Sequence, residues 1–341
     1  MEQTLFSVIL AVGLALFFAF TNGFHDSANQ VATVISSRTL SPEAALILAT
    51  VADFLGAYFL GTSVARTIGK GIVDPSLMKS SHLGIFVLAS ALFGAISWNM
   101  VTWHFGLPSS SSHALIGGLV GAFLIGWGWE PIQWKNVRDI VLVMFLSPLA
   151  GFALTYLITK ITFFIGEWLS PKAGETFKGL QILSLIGQSL AHGSNDAQKI
   201  MGVIVFALIL GNFYHPVAGL PLIPRWVIFS CSSAMALGIV VGGWKIIRTL
   251  GTGLYRVRSI HSFASQSVSG VIMFAASLFG FPISTTQIIS SSIMGAGAAF
   301  RPKSVRWAVA RDMLVAWLVT IPASALISAG TLKFGQIVFL R

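Results

Sequence analysis

The chain has 341 residues, of which 55% are hydrophobic and only 9% are charged. Soluble domains carry about 25% charged residues, so this composition excludes an ordinary soluble protein and indicates one that is embedded in a lipid bilayer. The formal net charge of +10 would suggest nucleic-acid binding in a soluble protein. Here the basic residues lie mainly in short loops between apolar runs, where they orient a membrane protein, and no nucleic-acid partner is expected.

Long apolar runs occupy most of the chain and predict membrane-spanning helices. Several reach the roughly 20 residues that a helix needs to cross a bilayer core. The runs cover residues 5–21, 44–65, 83–103, 137–159, 200–211, 226–247 and 307–332. The sequence therefore predicts one polytopic all-α membrane domain without a soluble domain, whose first apolar segment is retained. Cys231 lies inside an apolar run and is expected to be a buried structural residue.

A run of polar residues interrupts the first apolar segment at residues 22–29, and a similar run returns at residues 192–199. In each run the first polar residue, the aspartate and the last residue are spaced i, i+4 and i+7, which places them on one face of a helix. A charge inside a membrane costs about 3 kcal/mol or more, so Asp26 and Asp196 are candidate functional groups that could hold Na⁺ or a proton. Gly23 and Gly193 permit either a helix break that frees carbonyl groups or a close backbone approach.

Three further pairs of matching segments occur in the same order in both parts of the chain. They are residues 55–71 with 237–253, residues 106–113 with 280–287, and the Arg-Asp pairs at 138–139 and 311–312. The two Arg-Asp pairs are followed further along the chain by Pro148 and Pro322. Such repetition predicts two homologous halves, residues 1–168 and 169–341. Equivalent loops are more basic in the second half, which is expected for inverted-topology repeats with both termini outside and the link at 160–178 inside.

Residues 106–113 and 280–287 predict re-entrant hairpins whose second arm is a half-helix that begins inside the membrane. Each segment is a Gly-x-Pro turn with a hydroxyl-rich run, and the apolar stretch that follows is too short for an easy crossing. Proline suits the first turn of a helix, and Ser or Thr suits its N-cap. Free N–H groups and the positive end of the helix dipole would then bind an anion. The alternative is a helix-packing interface of small residues.

Two helix ends beside two carboxylates favour phosphate over sulfate as the anion. Phosphate carries hydroxyl groups that can donate to a carboxylate, whereas sulfate at neutral pH has none. A buried carboxylate that faces sulfate and receives no hydrogen bond would make binding less favourable by about 1 to 3 kcal/mol. A cation-coupled transporter of sulfate or another oxyanion stays an alternative at this stage. An intramembrane enzyme is a distant alternative, because the chain has no His-Glu-x-x-His motif; we expect neither an enzyme nor a cofactor.

The four motifs resemble the duplicated signatures of the PiT-type inorganic phosphate transporters, and most closely those of the bacterial low-affinity Pit branch. They are residues 22–29, 105–113, 192–199 and 281–286. The resemblance implies secondary active import of phosphate across a bacterial or archaeal cell membrane, coupled to Na⁺ or H⁺, by alternating access. The partners that it implies are phosphate, the coupling cation and the lipid bilayer, and the sequence is compatible with a homodimer.

The motifs and the resemblance together predict one transport site built from both halves. The groups expected to bind phosphate are Ser110, Ser111, Ser112, Ser284, Thr285, Thr286, Asn29 and Lys199. The groups expected to take part in cation coupling are Asp26, Asp196, Asn22, Asn195 and His25, with Asp26, Asp196 and Asn195 as Na⁺ ligands. His25 and Gln287 depart from the commonest family pattern, although a histidine at position 25 is usual in the bacterial Pit branch. If the family's histidines carry protons, the loss of one at position 287 weakens the case for proton coupling. His192 is expected to be a hydrogen-bonded helix partner.

Overall fold

A computed structural model describes residues 2–74, 81–166, 173–215, 223–255 and 257–339 of the chain. Apart from an isolated β-bridge between Val73 and Ile132, the regular structure of these residues is helical. Seven of the described helices are long and apolar enough to cross a membrane, or eight spans result if one bent pair is counted as a span. The predicted all-α polytopic membrane fold is confirmed.

Twelve α-helices follow one another in the described ranges. They are α1 (Glu2–Ser36), α2 (Pro42–Phe59), α3 (Ser63–Gly71), α4 (Ser81–His104), α5 (Ser111–Trp127), α6 (Trp134–Gly166), α7 (Ala173–Leu210), α8 (Arg225–Val241), α9 (Trp244–Arg248), α10 (Ser259–Phe279), α11 (Thr285–Phe300) and α12 (Trp307–Phe339). A π-helical turn (Thr249–Leu254) follows α9, and a 3-10 turn (Pro302–Ser304) precedes α12.

Four helices are much longer than a bilayer core requires. Helices α1, α6, α7 and α12 contain 35, 33, 38 and 33 residues. At about 1.5 Å per residue they exceed the roughly 30 Å of hydrocarbon. The apolar run at 200–211, expected as a separate segment, is the last part of α7, because the polar run before it stays helical.

Gly23 and Gly193 do not break their helices, so the alternative of freed carbonyl groups at these positions is wrong. Helices α1 and α7 continue through them. A Cβ atom on Gly23 would overlap the backbone carbonyl of Met235 in α8, and one on Gly193 would overlap that of Asp53 in α2. The glycines therefore allow two helices to touch backbone to backbone, which confirms the alternative of a close approach.

Broken helices occur elsewhere in the fold. Helices α8 and α9 form one apolar segment that bends by 61° at Gly242 and Gly243. Gly242 has a φ of 72°, in the left-handed region that glycine adopts without a Cβ penalty. The corresponding break between α2 and α3 contains Gly61, whose φ is 100°. These breaks make α3 and α9 short helices that lie beside the turns before α11 and α5.

Packing interlocks the first six helices with the last six. Helix α1 packs on α8 while α7 packs on α2, and α5 packs on α12 while α11 packs on α6. A Cβ on Gly121 of α5 would overlap the backbone of Ala325, and one on Gly295 of α11 that of Phe152. Helices α5 and α11 thus each pack closely against a long helix of the other set, α12 and α6 respectively. The inverted orientation and the junction at residue 168 stay predictions, since residues 167–172 lie outside the described ranges.

Candidate functional site

The two predicted half-helices begin at buried N-termini inside the protein. Ser110 caps α5 by accepting a hydrogen bond from the backbone N–H of residue 113 at 3.1 Å. Ser284 caps α11 in the same way, by accepting one from residue 287 at 3.3 Å. The N–H groups of residues 111, 112, 285 and 286 precede the first backbone hydrogen bond of their helix, so they have no acceptor within it. The predicted hydroxyl caps are confirmed, but Pro108 and Pro282 lie two residues before the caps and not in the first helical turn as expected.

Asp26 lies between these two helix ends and is fully buried. Its Oδ1 accepts hydrogen bonds from Asn29 Nδ2 at 2.9 Å and from Thr286 Oγ1 at 3.0 Å. Its Oδ2 accepts one from Ser111 Oγ at 3.2 Å. His25 Nδ1 lies 3.0 Å from Oδ1. One carboxylate of α1 therefore contacts the first turns of both α5 and α11.

Asp196 occupies the equivalent place on α7, but it is paired with a cation. Lys199 Nζ lies 2.5 Å from Asp196 Oδ1, and Thr285 Oγ1 donates to Oδ2 at 3.0 Å. Lys199 also donates to Ser112 Oγ at 2.5 Å and to the carbonyl oxygen of Ile283 at 2.7 Å. The ammonium group thus contacts the carboxylate of Asp196 directly in this structure, and its predicted contact with phosphate stays a prediction.

The contacts cross between the two sets of helices at matched positions. Asn29 of α1 donates to Thr286 of α11 at 2.9 Å, while Lys199 of α7 donates to Ser112 of α5 at 2.5 Å. Asn29 and Lys199 are the last residues of the two polar runs, and the two hydroxyls hold equivalent places in their half-helices. The site is therefore assembled from both sets of helices.

The remaining predicted residues are placed around this centre. Asn195 does not lie against the carboxylate of Asp196; its Nδ2 donates to Ser277 Oγ at 3.1 Å and to the carbonyl oxygen of Phe281 at 3.2 Å, at the turn before α11. His25 Nε2 is 3.5 Å from Ser109 Oγ at the matching turn before α5. Asn22 is buried, and its Oδ1 makes no hydrogen bond with the described residues.

Two further polar residues join the cluster, and sequence reasoning did not place either in the site. His192, expected to be a helix partner, has its Nε2 3.3 Å from Asp196 Oδ2 and 3.9 Å from Asp26 Oδ2. Its Nδ1 lies 2.6 Å from Oδ1 of Asp53, which also accepts from Gln30 Nε2 at 3.1 Å. Asp53 is a fully buried acid in the apolar helix α2, the same signal that singled out Asp26.

The cluster could hold a small cation. Asp26, Asp196 and His192 each offer one ligand atom, and these atoms lie within 4.8 Å of one another. Carboxylate oxygens are hard ligands of the kind that Na⁺ prefers, and they also accept protons. The side chains in these contacts include three carboxylates, one lysine ammonium group and the imidazoles of His25 and His192, which add positive charge when they are protonated.

A polytopic all-α fold, with two half-helix ends meeting buried acids at its centre, defines a membrane transporter of small ions. The protein-family model for the phosphate transporter family matches residues 22–170 and 165–328 of this chain. The chain belongs to the phosphate transporter family. The resemblance drawn from the duplicated motifs is thereby confirmed.

Individual relatives cover the same length. A protein of Bacillus subtilis (strain 168) is 42% identical over 330 residues, which are 96% of this chain and 97% of that protein. One of Rhizobium meliloti (strain 1021) is 42% identical over 336 residues, with the same shares covered. Both are described as probable low-affinity inorganic phosphate transporters. These relatives are transporters, so the enzyme alternative is set aside.

A solved structure shares the fold. It is described as the sodium-dependent phosphate transporter, and it superposes with a TM-score of 0.87 over 98% of this chain and 100% of its own. The two sequences are 23% identical, so this likeness concerns the fold alone.

Proposed function

We propose that the protein imports inorganic phosphate together with Na⁺ or H⁺ by alternating access. One observation carries the proposal: the first turns of α5 and α11 converge on two buried carboxylates. Ser111 and Thr286 donate to Asp26 at 3.2 and 3.0 Å, and Thr285 donates to Asp196 at 3.0 Å. Two positive helix ends form an anion site, and the acids beside them select an anion that can also donate hydrogen bonds.

In this proposal phosphate lies between the two helix ends. The N–H groups of the first turns and the hydroxyls of Ser111, Ser112, Thr285 and Thr286 donate to its oxygens, while Ser110 and Ser284 cap the helices. A phosphate hydroxyl donates to Asp26 or Asp196, which sulfate cannot do at neutral pH. The naming of 42% identical relatives as inorganic phosphate transporters supports the same choice.

Charge balance supports coupling to a cation. Asp26, Asp53 and Asp196 are fully buried, and Lys199 is the one ammonium group in contact with them among the described residues. Adding phosphate beside buried carboxylates is unfavourable unless positive charge enters as well, either as a bound cation or as a proton on a carboxylate or on His25 or His192, which contact these acids. We therefore assign Asp26 and Asp196 to cation binding, as Na⁺ ligands or as proton carriers. The description of the structural neighbour as sodium-dependent supports Na⁺.

The two sets of helices act as inverted repeats in this mechanism. The crossed contacts of Asn29 with Thr286 and of Lys199 with Ser112 support a two-fold related pair. One bundle that holds both half-helices then rocks against the rest of the protein around a fixed site, in the cell membrane and with both termini outside.

Uptake of radiolabelled phosphate into proteoliposomes tests the proposal. An inward Na⁺ gradient at equal pH and an inward proton gradient without Na⁺ are applied separately, and each is then collapsed with an ionophore. We expect one of them to drive accumulation of phosphate. Accumulation that persists after both gradients are collapsed would exclude coupled transport. Excess unlabelled sulfate should leave the uptake unchanged, and competition by sulfate would instead support the oxyanion alternative.

A further inference from the structure

The two Arg-Thr-x-Gly-x-Gly segments, at residues 66–71 and 248–253, contact the turns that precede the half-helices. Thr67 Oγ1 donates a hydrogen bond to the carbonyl oxygen of Gly280 at 2.7 Å. Thr249 Oγ1 donates to the carbonyl oxygen of Gly106 at 2.8 Å. Each contact links the first six helices and their turns to the last six helices and their turns. The transport site described above uses neither threonine.

The geometry of both turns depends on glycine. Gly106 and Gly280 have φ values of 67° and 75°, in the left-handed region that other residues rarely adopt. Each glycine lies four residues before the serine that caps its half-helix. Because the intervening segment is short and contains proline, the position of the glycine carbonyl contributes to where the helix N-terminus lies, together with contacts such as that of Trp317 Nε1 with the carbonyl oxygen of Pro108 at 2.9 Å. A hydrogen bond to this carbonyl therefore acts on the anion site from a distance.

We propose that Thr67 and Thr249 are positioning residues, which hold the N-termini of α11 and α5 in place for binding phosphate. The inference rests on the proposed function. Thr67, from the first six helices, holds the turn before α11, and Thr249, from the last six, holds the turn before α5. The two half-helix ends are therefore aligned by contacts between the two sets of helices, as the groups of the transport site are. When the two helix ends are already held in place, binding of the anion does not include the free-energy cost of ordering these helix ends.

The two contacts differ in what surrounds them. Thr249 begins the π-helical turn and shares its hydroxyl with the carbonyl oxygen of Lys245 at 3.3 Å. Lys245 Nζ also donates to the carbonyl oxygen of His104 at 3.1 Å, which adds a second link to the end of α4. The residue at the equivalent position in the first segment is Ser63, which has no amino group. The turn at Gly280 has a second link of its own, because Asn195 Nδ2 donates to the carbonyl oxygen of Phe281 at 3.2 Å.

The test compares Thr67→Val and Thr249→Val with the corresponding Ser variants. Initial rates of phosphate uptake are measured across a range of phosphate concentrations. We expect Thr67→Val to raise the apparent KM about three- to tenfold, the order expected for losing one neutral hydrogen bond, with an unchanged maximal rate. Thr249→Val should give an increase of the same order, and each Ser variant should keep the wild-type KM.

Thr252→Val is the matched control, because Thr252 Oγ1 bonds to the carbonyl oxygen of Arg248 within its own turn. Its KM should equal that of the wild type. A wild-type KM for both Val variants would overturn the inference, and so would Ser variants that fail to restore it, since the role would then be one of packing. If Thr67→Val does not fold, Thr249→Val decides the question. Absence of phosphate uptake by the wild type would contradict the proposed function itself.

Discussion

The two polar runs occupy equivalent places in the fold but carry different charges. Asp26 and Asp196 each accept a hydrogen bond from a first-turn hydroxyl of a half-helix, at 3.2 Å from Ser111 and 3.0 Å from Thr285. Asp196 also has an ammonium group at 2.5 Å, whereas the residue that fills the same place beside Asp26 is the neutral Asn29. The duplicated scaffold therefore holds one acid paired with an ammonium group and one acid whose contacts are hydroxyl, amide and imidazole groups.

A second difference lies on the helices that pack behind the runs. Asp53 of α2 stands two residues before a Leu-Gly pair, and the residue in the same place on α8 is Met235. The first residues of the two polar runs differ in the same way, since His192 pairs with Asp53 at 2.6 Å while its counterpart is Asn22. The first six helices contribute His25, Asp26 and Asp53 and the last six contribute His192, Asp196 and Lys199, so the two sets supply equal numbers of ionisable groups at different positions.

The largest expected effect concerns the acid paired with an ammonium group. Asp196→Asn leaves Lys199 as an uncompensated buried charge, which should lower the free energy of unfolding by about 3 to 5 kcal/mol. Asp26→Asn strands no ammonium group and should cost less. Thermal unfolding in detergent checks both variants. Adding Lys199→Gln to Asp196→Asn should recover most of the loss. Equal losses in the two single variants would show that the acids do not differ in this way.

The next effect concerns transport by the other acid. Asp26→Asn should lower phosphate uptake about 10- to 100-fold, since the carboxylate accepts several hydrogen bonds of the charged type, each contributing about 1.5 to 3 kcal/mol. The residual uptake should no longer respond to a Na⁺ or proton gradient in proteoliposomes. Asp139→Asn, at an exposed acid on α6, serves as the control. Normal uptake with normal ion dependence in the Asp26 variant would exclude it from coupling.

The hydroxyl groups should respond alike in both sets of helices. Ser111→Ala and Thr285→Val each remove a donor to a charged group, so each should raise the apparent KM for phosphate about tenfold or more. Concentration series of uptake rates measure the effect. Ser291→Ala is a control on α11, because that hydroxyl donates to the carbonyl oxygen of Ile288 in its own helix. An effect confined to one set would mean that phosphate contacts only one half-helix.

The glycines at the helix crossings should affect stability and leave the contacts of the anion site in place. Gly23→Ala and Gly193→Ala force two backbones apart and should each destabilise the protein by about 1 to 3 kcal/mol. Gly13 and Gly187 lie in the same two helices with nothing within 4 Å of an added Cβ, so alanine there should be neutral or slightly stabilising. Unfolding curves of the four variants check this. Unequal losses at Gly23 and Gly193 would show that the backbone is less symmetric than the contacts indicate.

Local features of the sequence predicted the class of fold and the pieces of the site. Apolar runs longer than a bilayer core indicate spanning helices, and the Gly-x-Pro turns with hydroxyl runs predict N-caps, which Ser110 and Ser284 confirm. The repeated motifs also led to the family. These signals are readable because each depends on a few neighbouring residues, whose hydropathy, caps and turn preferences act without the rest of the chain.

Only the tertiary structure decided which of these pieces meet. A spacing of i and i+4 puts residues on one helix face but does not say which neighbour that face contacts. Packing brought Thr286 to Asp26 across 260 positions of sequence, placed Lys199 between Asp196 and Ser112, and turned Gly23 from a candidate helix break into a crossing point. Packing also brought Asp53 of α2 into the cluster, because α7 supplies His192 as its partner at 2.6 Å.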